Sequence, residues 1–457
     1  MATDERNDPQ NGGLAAVRDL LDRRHFKAAL RLLDSGELRD MPEHDLLRAA
    51  ALLGRRRNEE GLRHLRRALA RRPDGVEAMS GLGQALLQTN DVLAAVGWFE
   101  RALAVAPDHP GGPAALAQAC RRDARYEDAI RIVDAQPGAA GDVDLLYEKA
   151  ISQSYLGDAA GALATYEALL SLDPEHAAAW FGSHAPALQT LGMEEALRRL
   201  WRAVGCSGAN GRYWAFLCAY HRLLGQEAEA VRIFREHVAG NPKRLPLVES
   251  VTAVQPHLSA DTRIFGMSAN LLRHALSRAA VPGMVLEFGV RRGTSINHIA
   301  AVAGQAVHGF DSFEGLPETW VNGPQGLLST GRQLPPVRPN VTLHAGWFED
   351  TLGSFLRERG EPLRFVNIDS DIYSSARTVL TALAPRVRPG TVLVFDEYIG
   401  NRTWREDEHK AFQEFVRDQG VAYQCFAISP FTKQVAVRID AIRGETGQAG
   451  ADAERTG

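Results

Sequence analysis

The stretch MVLEFGVRRGTS at residues 284–295 decides the fold of the C-terminal half of this chain. Its apolar start predicts a short buried strand over 284–288. Two glycines follow, Gly289 and Gly293, and a helical pattern then runs to about Val302. A strand, a glycine turn and a helix in this order indicate a place where a ligand approaches backbone amides at a helix N-terminus.

Further strands alternate with helices downstream of this turn. They are predicted at 306–310, 341–344, 364–368 and 391–395, and a closing antiparallel pair is predicted at 421–427 and 434–437. Helices between parallel strands indicate a doubly wound, mostly parallel sheet with right-handed crossovers, which is a Rossmann-like α/β domain. Ligands of such sheets bind outside the carboxyl ends of the strands, and the polar residues of interest follow predicted strands.

The glycine turn also indicates the kind of ligand. Glu287, Gly289 and Gly293 form the pattern E-x-G-x-x-x-G, in which the third glycine of the competing NAD-binding pattern GxGxxG is absent. The observed spacing is typical of S-adenosylmethionine binding. Asp311 ends the next strand, at a spacing suited to bonding a ribose hydroxyl pair, and Ser312 follows it. We therefore predict that these five residues contact S-adenosylmethionine.

Acidic residues follow two later strands. Asp369 and Asp371 come after the fourth predicted strand, and Asp396 and Glu397 come after the fifth. These strand ends are expected to be neighbours over one crevice, where several carboxylates repel one another unless a cation joins them. Hard oxygen ligands favour Mg²⁺, with Mn²⁺ or Ca²⁺ as substitutes. The alternative is that one Asp caps a helix and the others are solvated.

Four ordered segments carry a resemblance to a known family. They are GFDSFEGLP at 309–317, GWFEDTL at 346–352, IDSDIY at 368–373 and FDEY at 395–398. Over about residues 255–440 the chain resembles the macrocin/mycinamicin-type O-methyltransferases of antibiotic biosynthesis. These are class I enzymes that use S-adenosylmethionine and a divalent metal to methylate sugar or related hydroxyls.

The resemblance implies a role for each acid. Asp369, Asp396 and Glu397 would hold the metal, and Asp371 would be the general base, so Asp369 and Asp371 are the predicted catalytic residues. The chain departs from the family at Ser370, where Gly is more usual, and at Glu397, where a second Asp is more usual. The longer side chain of Glu397 makes its place in the metal set less secure than that of Asp396.

The N-terminal half shows a different pattern, with a period of about 34 residues. Two helices with apolar residues at three- and four-residue spacing cannot bury their faces alone, so neighbouring pairs must stack. The pattern over 42–242 resembles tetratricopeptide repeats and implies an all-α solenoid, with a further helical pair at 14–40. The second frame shows the recurring positions best, with Leu82-Gly83, Leu86, Ala95, Phe99, Ala102 and Pro107.

These patterns divide the 457 residues into four segments. We predict a disordered N-terminus at 1–13, the repeat domain at 14–250, the methyltransferase domain at 255–443 and a disordered tail at 444–457. The formal net charge of −4 argues against a nucleic-acid partner. The Arg-rich stretch at 55–72 also contains acids, and a solvated helix face is a better interpretation than an RNA site.

Three further observations bear on the compartment. No apolar run approaches the ~20 residues that span a bilayer. The 4 cysteines are spread widely with no CxxC pair, which favours a reducing environment. The N-terminal residues are polar and acidic and lack an apolar leader segment. We therefore expect a cytoplasmic protein that has no membrane partner.

The leading interpretation is a metal-dependent O-methyltransferase that acts on a hydroxyl of a small-molecule acceptor, a sugar or another natural product. The repeat array would recruit a protein or carrier partner, or build a homo-oligomer, or serve as a rigid spacer. Two alternatives stay open at this point. One is a protein methyltransferase that grips a polypeptide with its repeats, and the other is a scaffold whose methyltransferase-like half is catalytically idle.

Overall fold

The computed structural model describes residues 9–35, 38–321 and 323–443. The segments 1–8 and 444–457, on which most of the predicted disorder falls, lie outside the described residues. The first helix begins at Pro9. The chain divides into two compact units, one ending at Pro137 and the other beginning at Gly138.

The first unit is built from helices that follow the predicted repeat frames. The recurring small residue allows the two helices of a pair to approach closely, and its copies Ala95 and Ala129 are fully buried. The described helices of this unit are α1 (Pro9–Asp22), α2 (Phe26–Leu33), α3 (His44–Gly54), α4 (Asn58–Arg71), α5 (Val76–Gln88), α6 (Val92–Val105), α7 (Gly112–Arg122) and α8 (Tyr126–Asp134).

The second unit begins with more helices of the same pattern. Asp142 and Asp158 each cap the helix that follows, because their carboxylates accept from the amides of Leu145 at 3.0 Å and Gly161 at 2.9 Å. The last pair ends in a π-helical segment, Phe234–Val238. These helices are α9 (Val143–Tyr155), α10 (Ala159–Leu172), α11 (Ala177–Thr190), α12 (Met193–Gly205), α13 (Tyr213–Leu223), α14 (Glu227–Ile233) and α15 (Leu245–Val254).

An α/β region follows α15 within the same unit. Its strands are β1 (Leu258–Ile264), β2 (Met284–Phe288), β3 (Val307–Asp311), β4 (Val341–Ala345), β5 (Leu363–Ile368), β6 (Val392–Phe395), β7 (Val421–Ser429) and β8 (Gln434–Ile442). Its helices are α16 (Ser268–Arg278), α17 (Thr294–Ala303), α18 (Phe348–Arg357), α19 (Tyr373–Leu383) and α20 (Glu408–Gln419).

The strands form one eight-stranded sheet in the order β1-β7-β8-β6-β5-β2-β3-β4. Strand β8 runs antiparallel to β6 and β7, and the other pairs are parallel. The chain moves outward from β2 to β4 and then returns to β5 on the other side of β2. The carboxyl ends of β2 and β5 therefore flank a crevice at the point where the strand order reverses.

This arrangement confirms the predicted fold class, an all-α repeat region followed by a mostly parallel doubly wound sheet. One strand was not predicted: β1 pairs in parallel with β7 at the edge of the sheet. The residues of β1 are largely polar and half-exposed, so the segment lacks the apolar alternation by which a strand is recognised.

Alternate residues of β2 pack on opposite faces of the sheet. Leu286 and Phe288 join a core with the helices α18 to α20, and Val285 joins a second core with α16 and α17. The first core also takes in Leu217 of α13 and Val251 of α15. The last repeat helices of this unit are therefore packed into the same core as the sheet.

Two predicted properties concern the whole chain. The four cysteines are buried and form no disulfide. Among the described residues, the helices are too short or too polar to cross a membrane.

Candidate active site

The turn after β2 has the backbone conformation that its glycines predict. Gly289 and Gly293 have φ values of +94° and +81°, in the region that L-residues with a side chain rarely adopt. A Cβ on Gly289 would overlap the carbonyl oxygen of Asp369, which follows β5. Gly293 is the N-cap of α17. The turn therefore leads into a helix N-terminus and lies against the first acid of the predicted cluster.

Glu287 is fully buried beneath this turn. Its carboxyl group accepts hydrogen bonds from the Ser295 hydroxyl at 2.8 Å and from the Asn367 amide nitrogen at 3.2 Å, and so links β2, α17 and β5. Burial raises the pKa of Glu287 to about 8, so the group is mostly protonated at neutral pH. Through these two hydrogen bonds Glu287 stabilises the turn.

Asp311 lies at the end of β3, beside the same turn. Its two carboxylate oxygens accept from the backbone amides of Arg291 at 2.7 Å and Phe313 at 2.6 Å. Burial raises the pKa of Asp311, although these amide hydrogen bonds oppose the change. The Val290 amide is a third backbone donor to this carboxyl group, which leaves one of its four lone pairs, and Asp311 is partly exposed, so it could still accept from a ribose hydroxyl.

Ser312 stabilises the turn that follows Asp311. Its hydroxyl oxygen accepts from the Glu314 amide at 3.1 Å. The glycine turn and Asp311 are thus brought together at neighbouring strand ends, and both fit an adenosyl group. The contacts of Glu287 and Ser312 are with the protein itself.

The predicted acids converge at the ends of β5 and β6. Asp369 and Asp396 are hydrogen-bonded to each other through their carboxyl groups. Burial and the charge of Asp396 raise the pKa of Asp369 well above its usual range, and burial together with Glu397 raises the pKa of Asp396 to about 7. Both acids are half-buried, and two carboxyl groups in contact carry a charge that a cation would neutralise.

Asp371 stands two residues further along the same loop and is buried, with a φ of +64°. This left-handed conformation is uncommon outside glycine and marks a strained position. Burial and the negative charges of Glu397 and Asp396 raise the pKa of Asp371 to about 8, while the positive charges of Lys433 and Arg291 lower it.

Glu408, which sequence reasoning missed, organises this loop. It begins α20 and is fully buried. One carboxylate oxygen accepts from the amides of Ser370 at 3.0 Å and Asp371 at 3.1 Å, and the other accepts from the Glu397 amide at 3.3 Å. It therefore joins the ends of β5 and β6. The segment 401–410 is rich in charged residues, and nothing in its composition distinguishes the buried acids Asp407 and Glu408 from the exposed Glu406.

Lys433 and Gln434 are two further site residues that the sequence did not reveal. They lie at the turn between β7 and β8, far from the acidic motifs in the chain. The Lys433 ammonium donates to both carboxylate oxygens of Glu397, each at 2.9 Å. Gln434 donates to an Asp396 oxygen at 2.6 Å. Burial alone would lower the pKa of Lys433, but the charge and hydrogen bonds of Glu397 together with the charges of Asp396 and Asp371 outweigh it, and the pKa is raised.

The donor chemistry of the cluster fits a hard divalent cation only in part. The carboxyl groups of Asp369 and Asp396 are close enough to share a proton, and hard oxygen donors of this kind are the ligands that a divalent cation prefers. Glu397, the third predicted ligand, is paired with Lys433. Over the described ranges, no three His, Cys, Asp or Glu side chains are grouped so that they could hold a metal ion.

Comparison with known proteins assigns a class to each half. The family model for a methyltransferase domain matches residues 286–398, and the model for the tetratricopeptide repeat matches residues 46–113 and 147–183. The chain therefore contains tetratricopeptide repeats followed by a methyltransferase domain. Both predictions are confirmed at this level.

Individual relatives match the methyltransferase region. The 8-demethyl-8-(2,3-dimethoxy-alpha-L-rhamnosyl)-tetracenomycin-C 4'-O-methyltransferase of Streptomyces olivaceus is 32% identical over 145 residues, which are 26% of this chain and 54% of the relative. The mycinamicin III 3''-O-methyltransferase of Micromonospora griseorubida is 28% identical over 194 residues, 35% of this chain and 75% of that protein. This chain thus spans about half of the first relative and three quarters of the second.

Among solved structures, the O-methyltransferase NovP is 22% identical and covers 38% of this chain and 79% of its own, with a TM-score of 0.31. The sequence relatives include a mycinamicin methyltransferase, in agreement with the predicted resemblance.

Proposed function

We propose that this protein transfers the methyl group of S-adenosylmethionine to a hydroxyl group of a sugar or another natural product. The observation that carries the proposal is the contact between Gly289 and Asp369. It joins the turn that suits the cofactor to the acids that suit the acceptor, so methyl donor and hydroxyl would meet at the crevice between β2 and β5. The two O-methyltransferase relatives support the same reaction.

The residues divide the chemistry between them. S-adenosylmethionine, when bound, supplies an electrophilic methyl group on a sulfonium sulfur. The glycine turn and Asp311 hold its adenosyl part, and the crevice aligns the acceptor oxygen with the methyl carbon. Transfer would form an oxygen–carbon bond and break the carbon–sulfur bond, whose electron pair would stay on sulfur. Asp371 accepts the hydroxyl proton as general base.

The positive groups near Asp371 matter for this role. With a pKa of about 8 the carboxyl group is largely protonated at neutral pH, and only the ionised form can accept a proton. The charges of Lys433 and Arg291 favour that form. We therefore expect turnover to depend on the cationic side chains around the base as well as on the base itself.

The proposed reaction also uses a divalent cation, with Mg²⁺ as the first candidate. Asp369 and Asp396 would hold it, and it would supply the acidification of the acceptor hydroxyl. Glu397 could join as the predicted third ligand only by exchanging Lys433 for the cation.

The test uses the full chain with methyl-labelled S-adenosylmethionine and a panel of glycosylated small molecules. We expect Mg²⁺-dependent label on one class of acceptor and loss of transfer in Asp371→Asn and Asp369→Ala, with cofactor binding by calorimetry retained in both. Absence of cofactor binding by the wild-type chain would favour the idle scaffold. Label on a co-purifying polypeptide would favour the protein methyltransferase.

Three expectations from the sequence stay predictions. They are a protein or carrier partner docked on the repeats, a homo-oligomer, and a cytoplasmic location. In the second unit, repeat helices also contact the loops that carry the acidic cluster.

A further inference from the structure

The turn between β7 and β8 carries side chains that contact two different parts of the protein. Lys433 binds Glu397, and the next residue, Gln434, binds Asp396. Phe431, two residues before the lysine, points instead to the repeat helices. Lys433 has a φ of +62°, so its backbone is held in an uncommon conformation. A single short turn therefore connects the acidic cluster to the repeats of the same unit.

Phe431 occupies an aromatic socket formed by helices α11 and α13. Its ring centroid lies 4.9 Å from that of His184, 5.6 Å from Phe181 and 6.4 Å from Phe216. His184 is fully buried and is itself held by the Phe181 carbonyl and the Tyr220 hydroxyl. Ring contacts of this kind stabilise a structure beyond the burial of their area, and several acting together fix the turn.

The repeats hold the other side of the Lys433–Glu397 pair as well. The loop after β6 carries Glu397, and its Gly400 amide donates to the Ser250 hydroxyl of α15 at 2.9 Å. Arg405 of the same loop forms an ion pair with Glu249 of α15 at 2.8 Å. The Ile399 amide donates to the Lys433 carbonyl at 3.3 Å and ties this loop to the turn. Both partners of the ion pair are thus carried by segments that repeat helices support.

We propose that repeat helices α11, α13 and α15 position the Lys433–Glu397 ion pair and thereby withhold Glu397 from cation binding. Lys433 is then a positioning residue of the acidic cluster, and the repeats are part of the machinery that sets how many carboxylates are free there. This proposal rests on the proposed function, in which the cluster receives a divalent cation.

The physical reason is competition for one carboxylate. Both oxygens of Glu397 accept from the Lys433 ammonium, and a cation that used them would have to displace it. The number of charged oxygen ligands tunes the affinity of a protein for divalent cations over several orders of magnitude. Removing the lysine should therefore convert a two-carboxylate site into a three-carboxylate site.

Mn²⁺ alone is the probe. Its binding to the full chain is measured from the electron paramagnetic resonance signal of the free Mn²⁺ ion, which decreases as the ion binds. We expect Lys433→Gln to bind Mn²⁺ at least about tenfold more tightly than wild type, because Glu397 is released. Lys433→Arg preserves the pair and should stay near the wild-type affinity. Equal or weaker binding by Lys433→Gln, including no binding by any variant, overturns the proposal.

The repeat contribution is tested by Phe431→Ala. Loss of the aromatic contacts should loosen the turn and tighten Mn²⁺ binding in the direction of Lys433→Gln, by about threefold or more. Trp214→Ala is the matched control, because Trp214 lies on α13 but makes an edge-to-face contact with Trp201 and stacks on His237 instead. Wild-type affinity in Phe431→Ala, or the same increase in the control, overturns the role of the repeats.

Two measurements keep the outcomes separate. If Phe431→Ala does not fold, Phe431→Leu removes the ring and retains an apolar side chain, and the same affinity comparison applies. Titration of the wild-type chain with S-adenosylmethionine tests the proposed function on its own. Failure to bind the cofactor would count against methyl transfer, whereas the Mn²⁺ comparison would still decide whether Lys433 withholds Glu397.

Discussion

Gly289 and Asp369 are in direct backbone contact, and a Cβ on the glycine would overlap the Asp369 carbonyl oxygen. The Asp369 amide also donates to the Phe288 carbonyl at 2.8 Å, which extends the pairing of β2 with β5 beyond the strands. The turn that suits the cofactor and the first acid of the cluster are therefore parts of one rigid element. A change in either should alter the other.

Gly289→Ala should destabilise the protein by about 3 kcal/mol or more, since it combines a positive φ with a backbone overlap. Gly304→Ala is the matched control: it also has a positive φ, of +66°, but a Cβ there has open space around it. We expect the control to lose only about 1 kcal/mol. Chemical denaturation measures both, and equal losses would contradict the role given to the Asp369 contact.

The stability of the ligand-free protein should fall as the pH rises from about 5 to above 8. The pKa of Glu287 is raised to about 8 in the folded protein, above its ordinary value of 4.5. The stabilising contribution of such a group is complete below the ordinary pKa and is lost as the pH rises through the folded pKa. A melting temperature lower by several degrees at pH 8.5 than at pH 5.5 is expected.

Glu287→Gln tests the source of this pH dependence. A neutral amide can keep the hydrogen bond from Ser295, and it can donate to Asn367 Oδ1, which lacks a partner among the described contacts, if that amide rotates. The variant should fold at pH 7 and show a flatter profile of melting temperature against pH. The acids after β5 and β6 would still contribute, so an unchanged slope, rather than a residual one, would be the contrary result.

Glu408→Gln should cost about 2–3 kcal/mol of stability. One side-chain oxygen would be replaced by an amide that cannot accept, so either the Glu397 amide or the amides of Ser370 and Asp371 would lose their acceptor. Glu406→Gln, two residues earlier, removes an exposed charge that pairs with Lys410 at 3.7 Å, and it should change stability by less than about 0.5 kcal/mol. Thermal unfolding of the two variants side by side distinguishes them.

Mg²⁺ should raise the melting temperature of the wild-type chain at pH 8, and EDTA should reverse the increase, because an ion bound to the folded state alone stabilises it by mass action. Asp369→Asn and Asp396→Asn each remove one of the two carboxylates proposed to hold the ion and should lose most of the effect. Ca²⁺ and Mn²⁺ serve as comparison ions. An equal temperature increase in wild type and both variants would place the ion elsewhere on the protein.

The parts of the site that follow strands were predictable from sequence. Parallel strands end at one edge of a sheet, so Asp311, Asp369 and Asp396 had to lie near one another once the alternating pattern was recognised. The repeat helices were equally accessible, since Ala162 and Ala196 recur at a fixed period and are fully buried.

The residues that were missed reach the site from segments without a motif. Lys433 lies at an antiparallel turn whose position depends on how β8 enters the sheet beside β6. Glu408 sits in a charged run that looks solvent-facing by composition, and it is buried because two backbone loops close over it. Both depend on tertiary packing, which a local pattern does not encode.

The contacts of Phe431 with the repeat helices limit how the catalytic half could be recombined with other repeat arrays during evolution. A methyltransferase domain separated from its repeats near residue 255 would leave Phe431 without the aromatic side chains of α11 and α13. Recombination that joined this catalytic half to an unrelated repeat array would have to recreate the socket or replace the phenylalanine. The contact of Phe431 with α11 and α13 therefore restricts which repeat helices can precede this catalytic half. Homologues that lack the repeats should carry a different residue at this turn.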